Sequence, residues 1–125
     1  MESYPGAQSI SRAIALLKSF DDAHIEWGLG ELSEHLDLNK TTTHRLLAAL
    51  ENEGLIMRAE AAGRYRLGPE LITLGGCAMR SNTLRNATRP ELESLARSTG
   101  ETAFLEILVG DRTLILDEAM ADDPL

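Results

Sequence analysis

An α+β chain is what this sequence predicts: three short helices closed by a hairpin over residues 1–68, a further helix over 69–81, and a separate α/β segment over 82–125. Three observations carry that expectation. Residues 39–54, NKTTTHRLLAALENEG, set Thr43, Leu46, Leu47 and Leu50 at i, i+3, i+4, i+7, one face of a helix turning about 100° per residue. Two shorter helical stretches precede it, and two strand-like runs joined by residues ending in Gly63 follow it. Farther on, apolar runs at 102–109 and 113–117 meet at Gly110-Asp111, a two-residue hairpin signal.

Taken in order, Met1 to Gln8 reads as a mobile arm broken at Pro5-Gly6. Ser9 caps a first helix reaching about Phe20, with Ile10, Ala13, Ile14, Leu17 and Phe20 as its apolar face. Asp21 to Gly28 is a loop with room for a short strand at Glu26-Trp27, and Trp27 plugs the core. A second helix, from about Gly30 to Leu36, buries Leu32 and Leu36. The turn at Asp37-Leu38 uses the tolerance of Asp for left-handed backbone. Asn39 then caps the third helix and Gly54 ends it. Two short helices joined by so tight a turn, the second richer in donors, make a helix-turn-helix. With the hairpin Leu55–Arg58 and Arg64–Leu67 as wing, the whole is a winged helix-turn-helix; Tyr65 and Leu67 take one face of the wing, Arg64 and Arg66 the other.

Pro69 suits the first position of the next helix, which runs to about Arg80. Leu71, Leu74 and Ala78 share one side of it, Ile72 and Met79 another, and Gly75-Gly76 serves either close helix–helix approach or a hinge. Asn82 to Thr99 is helical, with Leu84, Ala87, Leu92, Leu95 and Ala96 mostly on one face; Pro90 either kinks it or begins a second segment. The two strands after Gly100 are apolar on both faces apart from Glu106, so they want cover on each side. The residues after Asp117 are too few to supply it, and this second domain reads as unfinished. Residues beyond about Arg80 are expected to be swapped onto another chain, disordered, or self-associating.

Composition narrows the function classes. In 125 residues, 43% hydrophobic content supports a core, and no apolar run approaches the ~20 residues of a membrane helix. No secretory leader opens the chain, and the single Cys77, expected as a buried thiol, suits a reducing cytoplasm. The net charge of −8 argues against a globally basic nucleic-acid binder, but the distribution is uneven. Asp21 to Asp37 hold six acids and no Lys or Arg; Lys40 to Leu50 hold two bases and no acid; Arg58 to Arg66 hold three bases and one acid. Phosphate affinity depends on the local contact patch.

The outer face of the third helix is where chemistry concentrates. Lys40, Thr41, Thr42, His44 and Arg45 offer short donors and one long guanidinium near a helix N-terminus, where a recognition helix meets bases and phosphates. Arg45, mid-face, is placed to read a base edge; Thr41 and Thr42 to hold phosphates; His44 to flank them. Arg58, Arg64 and Arg66 extend this patch onto the wing, with Arg64 expected at the DNA backbone or minor groove. Leu71, Leu74 and Ala78 are the contact candidates of a helix pairing with its copy, Gly75 allowing close approach. No phosphate-binding glycine loop or nucleophile elbow is present, and His24, His35 and His44 lack metal-ligand spacing. An enzyme has no supporting constellation, and neither metal nor cofactor is expected. The reading from another class is a protein-interaction module whose winged helix only dimerises, as in some methyltransferase N-terminal regions; a basic wing weighs against it.

Several segments recur in a family pattern. They are Gln8-Ser9-Ile10, Leu38-x-Lys40-x-Thr42-x-His44-Arg45-Leu46-Leu47, Leu50-Glu51-x-x-Gly54, Gly63-Arg64-Tyr65-Arg66-Leu67-Gly68, Leu74-Gly75, Arg89-Pro90-x-Leu92-Glu93-x-Leu95-Ala96 and Thr99-Gly100-Glu101-Thr102. In that order and spacing the chain, from about Gln8 to Leu125, resembles the IclR family of bacterial transcriptional regulators. The resemblance implies a winged helix-turn-helix, a linker helix, then the start of a GAF-like domain binding a small organic or aromatic acid. It also implies dimers or tetramers acting on palindromic operators as repressors or activators. Thr43 departs from the usual valine, Asp37 from the usual glycine, and the chain stops soon after the effector domain begins.

Overall fold

The computed structural model describes residues 6–121, so the expected N-terminal arm lies outside the described residues up to position 5. The chain divides into two compact units, with the division falling between Leu74 and Gly75.

The first unit runs α1 (Gln8–Leu17), β1 (Glu26–Gly28), α2 (Leu29–Leu36), α3 (Lys40–Asn52), β2 (Ile56–Arg58) and β3 (Arg64–Leu67), and α4 (Pro69–Arg80) begins in it. The three strands form an antiparallel sheet in the order β1-β3-β2. Glu26 pairs with Arg66 and Gly28 with Arg64 on one side of β3; Ile56 pairs with Leu67 and Arg58 with Tyr65 on the other. Three helices and this small sheet close on Leu16, Phe20, Trp27, Leu32, Leu47, Leu50, Ile56 and Tyr65. Trp27 is the expected plug: its indole N–H donates to the Ser19 carbonyl at 3.1 Å, and the rings of His24 and His35 lie against it.

The helix-turn-helix takes its bend from one residue. Asp37 ends α2 at φ 54°, ψ 46°, in the left-handed region, and Leu38 N–H returns to the Ser33 carbonyl at 2.9 Å. Two residues on, Asn39 caps α3, its Oδ1 accepting the Thr42 N–H at 2.8 Å. Thr43, Leu47 and Leu50 are buried and Leu46 half-buried, as the spacing predicts. A second close fit follows the wing. Gly68 N–H donates to the Leu55 carbonyl at 2.8 Å and Glu70 N–H to the Gly54 carbonyl at 3.0 Å. A Cβ at position 68 would run into the Gly54 carbonyl, so only glycine passes there.

Two expectations for α1 are corrected. The helix starts at Gln8 with Ala7 as N-cap and no side-chain cap, which puts Ser9 inside the first turn. Its inward face is Ala13, Leu16, Leu17 and, past the helix end, Phe20; Ile10 and Ile14 are 62% and 46% exposed. Both stripes satisfy i, i+3, i+4, i+7, and the core takes the one containing Leu16, which is fully buried.

In the second unit α5 (Thr83–Thr99) is followed by β4 (Ala103–Val109) and β5 (Arg112–Ala119), an antiparallel pair with a bulge at Leu105/Glu106. Asn82 caps α5 through the Arg85 N–H and left-handed Gly100 ends it, and Pro90 sits inside one continuous helix rather than starting a second. Of the expected inner face only Leu92 and Ala96 are buried; Leu84, Ala87 and Leu95 are exposed. The inward stripe is Arg85, Arg89, Leu92 and Ala96, whose first two members are charged and meet Asp117 of β5 at 3.6 and 3.0 Å. A search by apolar period cannot see such a half-charged face. Ala103, Leu105 and Ala119 complete the small core. The strands pair with each other and are covered on one face by α5, while Phe104, Leu108 and Ile115 remain exposed. Cys77 is exposed rather than buried, because α4 buries none of its residues.

Candidate nucleic-acid interface

Helix α3 owes its orientation to its buried stripe, which turns the opposite face outward. Lys40, Thr41, His44 and Arg45 are exposed and Thr42 half-exposed. No carboxylate lies on α3 before Glu51. Thr43 differs from its neighbours: it is fully buried, and its hydroxyl donates to the Asn39 carbonyl at 3.0 Å. Two of the three consecutive threonines thus face outward and one holds the core. Among the described residues, Lys40, His44 and Arg45 make no ion pair, so their donors are available to an outside acceptor.

The wing arginines separate into two kinds. Arg66 is exposed and edges an open cavity of about 260 Å³ shared with Phe20, Asp21, Asp22, Ile25 and Leu67. Arg58 and Arg64 are committed within the chain. Arg58 Nε lies 3.1 Å from Glu51 Oε2, and its guanidinium sits 5.4 Å from the centre of the Tyr65 ring. Arg64 Nη1 donates to Glu31 Oε1 at 2.7 Å and Nη2 to the Glu26 carbonyl at 3.1 Å, with Glu26 Oε2 3.5 Å from Nε. The hydrogen bond from Arg64 and the Gly28 N–H hold the Glu31 carboxyl below the usual range, and Glu31 in turn raises Arg64. Sequence reasoning missed these partners. The available signal was the position of Glu31, third in α2, where a carboxylate can reach back to the N-cap N–H, here that of Gly28.

On α4, Leu74, Gly75 and Ala78 are exposed and Leu71 half-buried. Among the described residues no group of acids, histidines and cysteine could hold a metal ion, and no helix is long and apolar enough to cross a membrane.

With this geometry in view, comparison with known proteins is direct. Residues 9–60 match the IclR helix-turn-helix domain. The chain is 35% identical over 116 residues to the glycerol operon regulatory protein of Streptomyces griseus, covering 93% of this chain and 46% of that protein. It is 35% identical over 111 residues to the DNA-binding transcriptional repressor YiaJ of Escherichia coli, covering 89% and 39%. An IclR transcriptional regulator of Alicyclobacillus acidocaldarius superposes with a TM-score of 0.74 at 33% identity, covering 99% of this chain and 50% of that one. An IclR family regulator from Brucella abortus shares the fold with a TM-score of 0.83 at 20% identity, covering 98% and 46%. The chain spans about half the length of the curated relatives it matches.

Proposed function

This chain belongs to the IclR family of transcriptional regulators, and from that premise we propose that it is a sequence-specific DNA-binding regulator of a bacterial metabolic operon, acting in the cytoplasm. The observation that carries this reading is the outer face of α3, an acid-free cluster of Lys40, Thr41, Thr42, His44 and Arg45 on a chain of net charge −8. Arg45 reads a base pair, its two parallel donors matching guanine O6 and N7. Thr41, Thr42 and the first-turn N–H groups hold phosphates, with Lys40 and His44 beside them. Arg66 extends the surface onto the wing, and Arg58 and Arg64 reach a phosphate only by exchanging their internal partners Glu51, Glu31 and Glu26. The DNA is an operator with two half-sites, so the regulator is a dimer or tetramer, paired through Leu71, Leu74, Gly75 and Ala78. A small organic or aromatic acid enters the proposal as effector only with a complete effector domain. The domain boundaries that fit this division of labour are 1–68, 69–81 and 82–125.

A gel shift on the DNA upstream of the encoding gene, run as a salt series, tests the reading. A retarded band that weakens steeply with salt is expected, as released counterions dictate. Arg45→Ala narrows the gap between that DNA and unrelated competitor by ~1–3 kcal/mol. No retardation even at low salt overturns the proposal.

A further inference from the structure

The N-terminus of α2 gathers side chains from three elements. Glu31 turns its carboxylate back on the helix start, where Oε1 accepts the Gly28 N–H at 3.2 Å and Arg64 Nη1 at 2.7 Å. Arg64 arrives from the wing because it stands opposite Gly28 in the β1–β3 ladder. Lys40 arrives from α3, its Cε 3.8 Å from where a Cβ on Gly30 would stand. Backbone donors at a helix start and an arginine form a donor set suited to a phosphate, with Lys40 passing close by. In this chain a carboxylate of its own occupies that place.

We infer that Glu31 is an internal stand-in for a DNA phosphate, holding Arg64 back and lowering affinity for DNA without touching it. The inference rests on the DNA-binding reading above. The pair is exchangeable: its side chains are 36% and 57% exposed, and exposed ion pairs contribute little to stability. For Arg64 to reach the backbone it leaves Glu31 behind as an unpaired negative charge beside the duplex. Binding through the wing therefore works against the protein's own acid, and unrelated DNA, which offers no compensating base contacts, is penalised most.

The test uses Glu31→Gln, Arg64→Ala and the double variant on a short mixed-sequence duplex across a salt series. Glutamine keeps an acceptor for the Gly28 N–H, so the helix start survives while the charge goes. Glu31→Gln is expected to bind several-fold tighter, with a salt slope steeper by about 0.9 per protomer for one added phosphate contact. Arg64→Ala alone leaves the slope as in the parent, and in the Glu31→Gln background it returns the slope to the parent value. Glu26→Gln, which leaves the Gly28–Glu31 hydrogen bond intact, is expected to give a smaller gain of the same sign, also lost with Arg64→Ala. If Glu31→Gln leaves the slope unchanged while the parent binds, the inference fails and the DNA-binding reading stands. A gain that persists without Arg64 also overturns it, since removal of a distant charge then suffices. If the parent binds no duplex at any salt concentration, both fail together.

Discussion

Thr43→Val is the perturbation whose outcome follows most closely from the geometry. Thr43 is fully buried in the core, and its hydroxyl donates to the Asn39 carbonyl at 3.0 Å. That same carbonyl accepts the Thr43 backbone N–H at 3.1 Å, so removing the hydroxyl orphans nothing. The lost hydrogen bond is worth ~0.5–1.5 kcal/mol. The methyl that replaces the oxygen, fully buried, returns ~0.8 kcal/mol. The balance lies within roughly 0.7 kcal/mol of zero. Thr43→Ala forfeits the hydrogen bond and a methyl and leaves a small void, costing ~2 kcal/mol. Urea denaturation followed by Trp27 emission reads both, because the one tryptophan of the chain sits in the same core. A loss above ~2 kcal/mol in Thr43→Val would refute the argument, for it would mean the hydroxyl supports more than one carbonyl. Thr42→Val, one residue away on the outer face, is expected to leave stability alone and to weaken DNA binding.

Three further outcomes are expected. Asp37→Gly relieves a left-handed aspartate and raises stability by up to ~1 kcal/mol, whereas Asp37→Val lowers it, both visible in the same urea curves. Leu74→Glu, on the exposed side of α4, gives monomers in sedimentation and weak operator binding; unchanged association removes α4 from the dimer contact. The Glu31 carboxyl is held below its ordinary range in the folded chain, so its contribution is present above that range and lost as pH falls through the lowered value. Acid unfolding of Glu31→Gln is therefore expected to be shallower than that of the parent, and identical pH profiles would refute this.

How far the fold was legible depended on whether a stripe had a rival. On α3, Thr43, Leu46, Leu47 and Leu50 had none, because the opposite face carries no apolar residue larger than Ala48, and the helix, its cap and its outward residues followed. On α1, Ile10-Ala13-Ile14-Leu17 and Ala13-Leu16-Leu17-Phe20 are equally regular, and only packing against the rest of the core chooses between them. On α5 the inner face begins with two half-buried arginines that pair with buried Asp117 some thirty residues away, a pairing no local window contains. The candidate site was legible in its position and less so in its electrostatics. Arg45 and Arg64 look alike in sequence, yet one projects outward and the other is held by Glu31 and Glu26, because strand register sets Arg64 opposite Gly28.

The contact of Gly68 with the end of α3 has a mechanical consequence. Backbone hydrogen bonds from Gly68 and Glu70 fasten the first turn of α4 to the Gly54-Leu55 segment, and the missing side chain lets the two backbones touch. The root of α4 is thereby welded to the recognition helix. A torque applied anywhere on the stretch Pro69 to Leu74, roughly 9 Å of helix at 1.5 Å per residue, turns α3 with it instead of bending the joint. Gly75-Gly76 lie where the two units divide, and a Cβ on Gly75 would meet nothing. Placing any side chain at position 68 would break that weld, because its Cβ would run into the Gly54 carbonyl.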